Sequence, residues 1–252
     1  GYILARALFK YHLSFVNKNK YVLVCSKSLA KEYSSRYNQK YKYIQNGIDN
    51  QKYIAVSRAK KNKLRKKLNL PIIKKIFISL CSLIQEKNIG FIVDLFEKWV
   101  YLNNSLLVIL GKGDQYETLK KRIEGSNNIK IYGEVEEVLE FVQSSDYLIS
   151  ASKGEGLPNA VLECLSSGIP CLLSDIPAHE EVLNNSQAGL IFKNNNIQNI
   201  KKKIIELEHM DYTKLSTNST KHIDKYFSAK SMSIKYQNFY KKIVEDHRLE
   251  SL

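Results

Sequence analysis

Residues 154–175 read GEGLPNAVLECLSSGIPCLLSD. A glycine-rich turn leads into a proline, and Val161, Leu162 and Leu165 then recur at helical spacing before Gly168 interrupts and the apolar run IPCLL begins. Proline suits the first helical position because the N–H it lacks would be unpaired there anyway. A glycine just past the last periodic residue ends a helix. The stretch therefore predicts a loop, a helix starting near Pro158, a turn and a strand, which together make one βα repeat.

The same cycle is legible on both sides. Upstream, KKIFISLC and SLLVILG are short apolar runs, followed by the helical patterns IGFIVDLFEKWV and DQYETLKKRIEG, the second ended by Gly125. NIKIYG, EVEEVLEFVQSS and DYLISAS continue the alternation, and HEEVLNN and AGLIF close it. The strands are near-continuous apolar runs, as expected where helices cover both faces of a sheet. Repeated βα units of this length imply an α/β fold with a doubly wound, Rossmann-like parallel sheet. Ligands of such sheets bind in the loops at the carboxyl ends of the strands. The loops in question are GKGD, GEVEE, SKGEGLPN and SDIPAH.

The flanks differ in pattern. Residues 21–46 predict the strand YVLVC, a helix from about Ser26, the strand YKYIQ and a turn at Asn46 and Gly47. A basic helix spans 57–68. Beyond AGLIF only helices are expected, the last carrying Met232, Tyr236, Phe239, Tyr240 and Ile243 on a face that requires a partner surface.

Glu155 stands just outside the predicted helix and Glu163 nearly two turns inside it. Acids near a helix start are favoured by the helix dipole alone, so solvated surface acids are one reading. The other is a ligand site. A helix N-terminus presents free N–H groups to phosphate, Gly156 lets a ligand approach the backbone, and two carboxylates can accept hydrogen bonds from separate hydroxyl pairs. A phosphate between two polyols describes a nucleotide sugar.

With its neighbours in order, GEGLPNAVLECLSSGIPCLLSD resembles the E-x(7)-E signature of the retaining family 4 glycosyltransferases, glycosyl transferases group 1, whose GT-B fold sets two Rossmann-like domains face to face. VCSKSLAKEY, YKYIQNGID, CSLIQEKNIGFIVDLF, LLVILGKGDQYETLKKRI, NIKIYGEVEEV and FSAKSMSIKYQNFYKKI are similar to successive family segments, so the likeness covers nearly the whole chain. It implies that Glu155 faces the donor sugar and Glu163 the ribose. Backbone groups over Gly156, Leu157, Pro158 and Asn159 are implied to meet the sugar or diphosphate. Lys87 is implied to neutralise the leaving diphosphate, which makes Lys87 and Glu155 the catalytic candidates. Gly133, Glu134 and Val135 are implied to line the base. Ser82 stands where the family often has arginine, so one charge-assisted contact to the leaving group is missing.

The resemblance further implies a metal-free site, no cofactor other than the donor itself, and a UDP-sugar as the expected donor. The expected acceptor is a glycan or a lipid-linked saccharide in cell-surface polysaccharide or glycolipid synthesis. It divides the chain into a remnant of the acceptor-side domain with its crossover (1–50), a donor-binding domain (51–225) and a C-terminal crossover helix (226–252). A complete enzyme carries about as much chain again upstream. The alternative is a nucleotide-sugar-binding module that is inactive by itself.

Composition fits these expectations. The chain is 252 residues long, 44% hydrophobic and 25% charged, with a net charge of +14. No apolar run approaches the about 20 residues of a membrane span. The opening YILARALFKYHLSFV is broken by Arg6, Lys10 and His12 and does not read as a secretory signal. Cys25, Cys81, Cys164 and Cys171 form no C-x-x-C pair and are expected as small buried hydrophobes in a reducing, cytoplasmic compartment. The basic residues are dispersed, which argues against nucleic acid. One cluster, Lys60, Lys61, Lys63, Arg65, Lys66 and Lys67, reads either as a solvated helix face or as a peripheral contact with an anionic membrane at its inner face. His12 and His179 are expected at the surface, and Glu180 and Glu181 near a helix start.

Overall fold

The computed structural model describes residues 21–250. His12 and the rest of 1–20 therefore lie outside the described residues. At the N-terminal side, β1 (Leu23–Val24) and β2 (Lys42–Tyr43) pair in parallel and flank α1 (Lys27–Tyr37). Ser26 caps α1, its hydroxyl accepting from the Leu29 N–H at 3.1 Å. A crossover leads to α2 (Arg58–Lys67), capped in the same way by Ser57.

The main body alternates strand and helix: β3 (Lys75–Leu80), α3 (Ile89–Lys98), β4 (Ser105–Leu110), α4 (Tyr116–Arg122), β5 (Ile129–Gly133), α5 (Val138–Ser144), β6 (Tyr147–Ser150), α6 (Asn159–Ser166), β7 (Cys171–Ser174), α7 (Pro177–Leu183) and β8 (Gly189–Phe192). The strands form a six-stranded sheet in the order β5-β4-β3-β6-β7-β8, every pairing parallel. Three helices follow: α8 (Ile197–His209), α9 (Tyr212–Tyr226) and α10 (Ala229–Glu250). Successive residues of β3 feed opposite faces, since Ile76 and Ile78 join one buried cluster and Phe77 the other. This is the doubly wound α/β sheet that the apolar runs predicted.

Helix starts differ from expectation in one place that matters. The helix after GEGLPN begins at Asn159, with Pro158 as its cap in extended conformation (φ −78°, ψ 95°). The Pro158 carbonyl accepts from Val161 and Leu162, and the N–H groups of Asn159 and Ala160 are left at the tip.

The basic cluster is a divided face. Lys61 and Arg65, one turn apart, turn inward onto Asp146, Arg65 Nη2 at 2.6 Å and Lys61 Nζ at 3.1 Å. Arg65 also donates to the carbonyls of Ser144, Ile72 and Lys74. A buried guanidinium requires such full pairing, so Arg65 clamps α2 to the strand starts. Lys60, Lys63, Lys66 and Lys67 remain exposed.

The partner surface of α10 is the N-terminal segment. The Met232 sulfur accepts from the Gly47 N–H at 3.1 Å, and Phe239 meets the Tyr21 ring edge-on. Tyr240, expected on the same face, is instead 58% exposed. Gly47 is needed for close approach: a Cβ there would lie 2.5 Å from the Ser228 carbonyl oxygen. Among the described residues no helix is long and apolar enough to cross a membrane.

Candidate functional site

Strand order reverses between β3 and β6, because the chain proceeds outward from β3 to β5 and then returns to β6. The loops leaving these two neighbours diverge at their carboxyl ends and leave a crevice, the place where open α/β sheets bind ligands. The loop after β3 carries Lys87, at the end of a single helical turn (Gln85–Lys87). The loop after β6 carries Glu155. Lys153 N–H donates to the Glu86 carbonyl at 2.8 Å and ties the two loops together.

Across the crevice Lys87 Nζ lies 2.5 Å from Glu155 Oε1, with both side chains mostly buried. The same carboxylate oxygen accepts from the Ser152 hydroxyl at 2.8 Å. The two residues named as catalytic candidates are thus direct partners.

A cavity of 380 Å³ opens at the ends of β3, β4 and β5. Ser82, Gly133, Glu134 and Val135 line it together, as does Lys112, whose ammonium stands 3.5 Å from Glu134. Its wall is tightly built. Gly111 (φ +130°) lies so close to the β3 loop that a Cβ would overlap the Cys81 carbonyl oxygen. Cys81 lines the cavity and also feels the charges of Lys87 and Glu155, while burial pushes its thiol pKa up to about 12. It is therefore a neutral group in the cavity wall.

A larger cleft of 1050 Å³ lies between α1, β2 and the loops after β6 and β7. Gly154 and Glu155 form part of its floor. Glu181 closes the back. Its carboxylate accepts from the backbone N–H groups of Lys27 and Ser28 at 2.8 and 2.6 Å and from Gln45 Nε2 at 2.7 Å. The helix that Glu181 serves is thus α1, across the cleft, and not the one it sits on.

The remaining residues divide. The room left by Gly156 is taken by Cys25, whose sulfur would lie 3.0 Å from a Cβ at that position. This glycine seats the N-terminal segment against the loop. Leu157 is buried, and Pro158 has no N–H, so the amides available at this tip are those of Leu157, Asn159 and Ala160. The Asn159 side chain accepts from Asn46 at 3.0 Å.

Glu163 is half-buried and lines neither cavity. The hydroxyl of Tyr53 lies beside it. Burial raises its carboxyl pKa, an effect opposed by the Tyr53 hydroxyl and by the charge of Lys52. Tyr53 is pushed up to about 12, chiefly by burial and then by the neighbouring carboxylate. The crossover bearing Tyr53 is fixed to α6, since Ser166 donates to the Tyr53 carbonyl at 2.6 Å. The partner was missed in the sequence because it lies 110 residues from Glu163 in a stretch without periodicity.

His179 is a correction. Expected at the surface, it is completely buried. As the third residue of α7 it points back under the loop, with Nδ1 3.0 Å from the Ser174 carbonyl oxygen. Burial drives its pKa down to about 4.

Comparison with known proteins follows the same outline. The family model described as Glycosyl transferases group 1 matches residues 60–225. The UDP-Gal:alpha-D-GlcNAc-diphosphoundecaprenol alpha-1,3-galactosyltransferase of Escherichia coli is 28% identical over 163 residues, 61% of this chain and 41% of that enzyme. The sucrose-phosphate synthase of Thermosynechococcus elongatus superposes with a TM-score of 0.79 at 15% identity, over 92% of this chain and 60% of that one. Anabaena HepE in complex with UDP-glucose gives 0.77 at 16% identity, over 90% and 66%. The chain thus spans less than two thirds of the length of each of these proteins.

Proposed function

Because the chain belongs to the group 1 glycosyl transferases, we propose that it is the donor-binding half of a retaining glycosyltransferase. The enzyme would move a glycosyl group from a nucleotide sugar to a saccharide or lipid-linked acceptor. The observation that carries this reading is the Lys87–Glu155 pair at the reversal of strand order, with Glu155 lining a large cleft and a second cavity at the ends of β3, β4 and β5.

In this reading the base enters the cavity of Ser82, Gly133, Glu134 and Val135, and the ribose lies between that cavity and Glu163. The diphosphate lies at the tip of α6, against the amides of Leu157, Asn159 and Ala160, where aligned N–H groups favour negative charge. The sugar reaches Glu155, whose carboxylate accepts from its hydroxyls. Lys87 then exchanges part of its contact with Glu155 for the departing diphosphate. A cation that gains its best partner only as charge develops lowers the barrier and not merely the ground state.

The bond from the anomeric carbon to the phosphate oxygen breaks, and the acceptor oxygen bonds to that carbon from the same face. The acceptor's proton passes to the departing phosphate. None of these steps calls on a metal ion.

A UDP-sugar is the proposed donor, supported by the likeness to HepE, which was solved with UDP-glucose. The E. coli relative is named for a diphospholipid-linked acceptor, which supports a lipid-linked acceptor here. Exposed Lys60, Lys63, Lys66 and Lys67 are proposed to touch an anionic membrane from its cytoplasmic side.

Calorimetric titration of the chain with UDP, GDP, ADP and their glucose conjugates tests the reading. UDP and UDP-glucose are expected to bind. Failure of every nucleotide to bind, or binding unaffected by Lys87→Ala and Glu155→Ala, would overturn it.

A further inference from the structure

Behind the Lys87–Glu155 pair runs a polar thread that the reaction as described does not use. His179 Nδ1 lies 3.0 Å from the Ser174 carbonyl oxygen and 3.1 Å from the Ser174 hydroxyl. That hydroxyl donates to the Ser152 carbonyl at 2.6 Å. The Ser152 hydroxyl in turn donates to Glu155 at 2.8 Å. Asn194 Nδ2 adds a second donor to the Ser152 carbonyl at 3.1 Å, and the Ser150 hydroxyl donates to that of Ser152 at 3.3 Å.

The direction of each proton is forced. A carbonyl only accepts, so the imidazole nitrogen beside it, Nδ1, must carry the hydrogen. The Ser174 hydroxyl is then free to spend its own proton on Ser152. At the far end an ionised carboxylate only accepts, which turns the Ser152 hydroxyl toward Glu155.

This assignment also explains an otherwise odd atom. His179 Nε2 is buried without a partner. With the hydrogen on Nδ1, Nε2 is a bare acceptor, the cheaper kind of unpaired group; protonated, it would be a buried donor with nowhere to give. The depressed imidazole pKa agrees with a ring kept neutral.

We propose that His179 is a positioning residue for Glu155: its Nδ1–H fixes Ser174, Ser174 fixes Ser152, and Ser152 aims the carboxylate at Lys87 and the donor sugar. The proposal rests on Glu155 being the sugar-facing acid. The competing explanation is that His179 merely fills space beneath the loop, and two substitutions separate the two. His179→Asn places an amide N–H close to where Nδ1–H stands but removes ring bulk. His179→Phe keeps the ring and removes the donor. A space-filling role makes phenylalanine the better tolerated; a positioning role makes it asparagine.

The test is calorimetry with UDP and UDP-glucose, alongside thermal unfolding to verify that each variant folds. His179→Phe is expected to weaken UDP-glucose about tenfold, the effect of misplacing the Ser152 hydrogen bond to the charged Glu155. UDP affinity should stay within about twofold, and His179→Asn should stay near wild type for both ligands. Equal loss for UDP and UDP-glucose, or phenylalanine outperforming asparagine, would overturn the proposal. Should His179→Phe not fold, Ser152→Ala carries the same comparison, and unchanged discrimination between the ligands would overturn it. If the wild-type chain binds neither ligand, the proposed function fails and crystal structures decide the positioning claim alone. Glu155 should then leave Ser152 in His179→Phe and keep it in His179→Asn; an unmoved Glu155 in the phenylalanine variant would overturn the claim.

Discussion

Lys87 and Glu155 lie 68 residues apart in the chain and 2.5 Å apart in space, joined at the one place where the sheet changes direction. Each neutralises the other across the crevice. If Lys87 meets the leaving diphosphate as proposed, Lys87→Ala is expected to lower turnover about 10²–10³-fold, as loss of a preorganised electrostatic contact does, with a smaller effect on donor affinity. Separate determination of kcat and the donor dissociation constant checks this; an effect confined to affinity would contradict it.

Glu163 depends on Tyr53. Removing the hydroxyl with Tyr53→Phe withdraws the largest influence that holds the Glu163 pKa down, so that pKa should climb further above its ordinary value. If the ribose is held by the ionised carboxylate, acid loss of UDP binding will begin at higher pH in the variant than in wild type. Titrations of UDP binding between pH 4 and 7 would show the displacement, and superimposable curves would argue that Glu163 does not meet the nucleotide.

Glu181 fastens the N-terminal segment to the donor side through two amides of α1 and Gln45. Charge-assisted bonds of this kind contribute about 1.5–3 kcal/mol each. In Glu181→Ala the amides of Lys27 and Ser28 should exchange hydrogen at least about tenfold faster, while those of β4 in the sheet centre stay unchanged. Uniform acceleration throughout would indicate global destabilisation and refute a local fastening.

The imidazole of His179 is neutral in the fold, with its pKa lowered from 6.5 to about 4. The unfolded chain takes up a proton below its own pKa and the folded chain resists, so stability is complete above pH 6.5 and declines as pH falls toward 4. A shift of this size corresponds to roughly 3 kcal/mol. His222, also lowered by burial, acts in the same direction. Urea unfolding of wild type and His179→Asn at pH 7 and pH 4.5 should show a smaller pH effect in the variant.

Much of this molecule is written in local pattern. The apolar runs of β3, β4, β6 and β7 and the helices between them are periodic over windows long enough to read. GEGLPN and GEV announce themselves because glycine at a strand end has few other uses. What could not be read depends on contacts between distant segments. Lys61 and Arg65 look like any other basic residues until Asp146 is brought to them. Gly156 reads as an opening for a ligand, yet its neighbour is Cys25 from another part of the chain. His179 looks polar and hence external, because nothing near it in sequence reveals that a carbonyl and a serine beneath the loop will satisfy Nδ1.

The two passages of chain between the N-terminal segment and the sheet run side by side. Ile48 N–H donates to the Phe227 carbonyl at 2.8 Å and Ala229 N–H to the Ile48 carbonyl at 2.9 Å, with Gly47 against Ser228. Cords knotted together at one point cannot pivot about separate axes. The N-terminal segment and the start of α10 are thereby held as one unit at Gly47 and Ser228, where a side chain on the glycine would force the two passages apart.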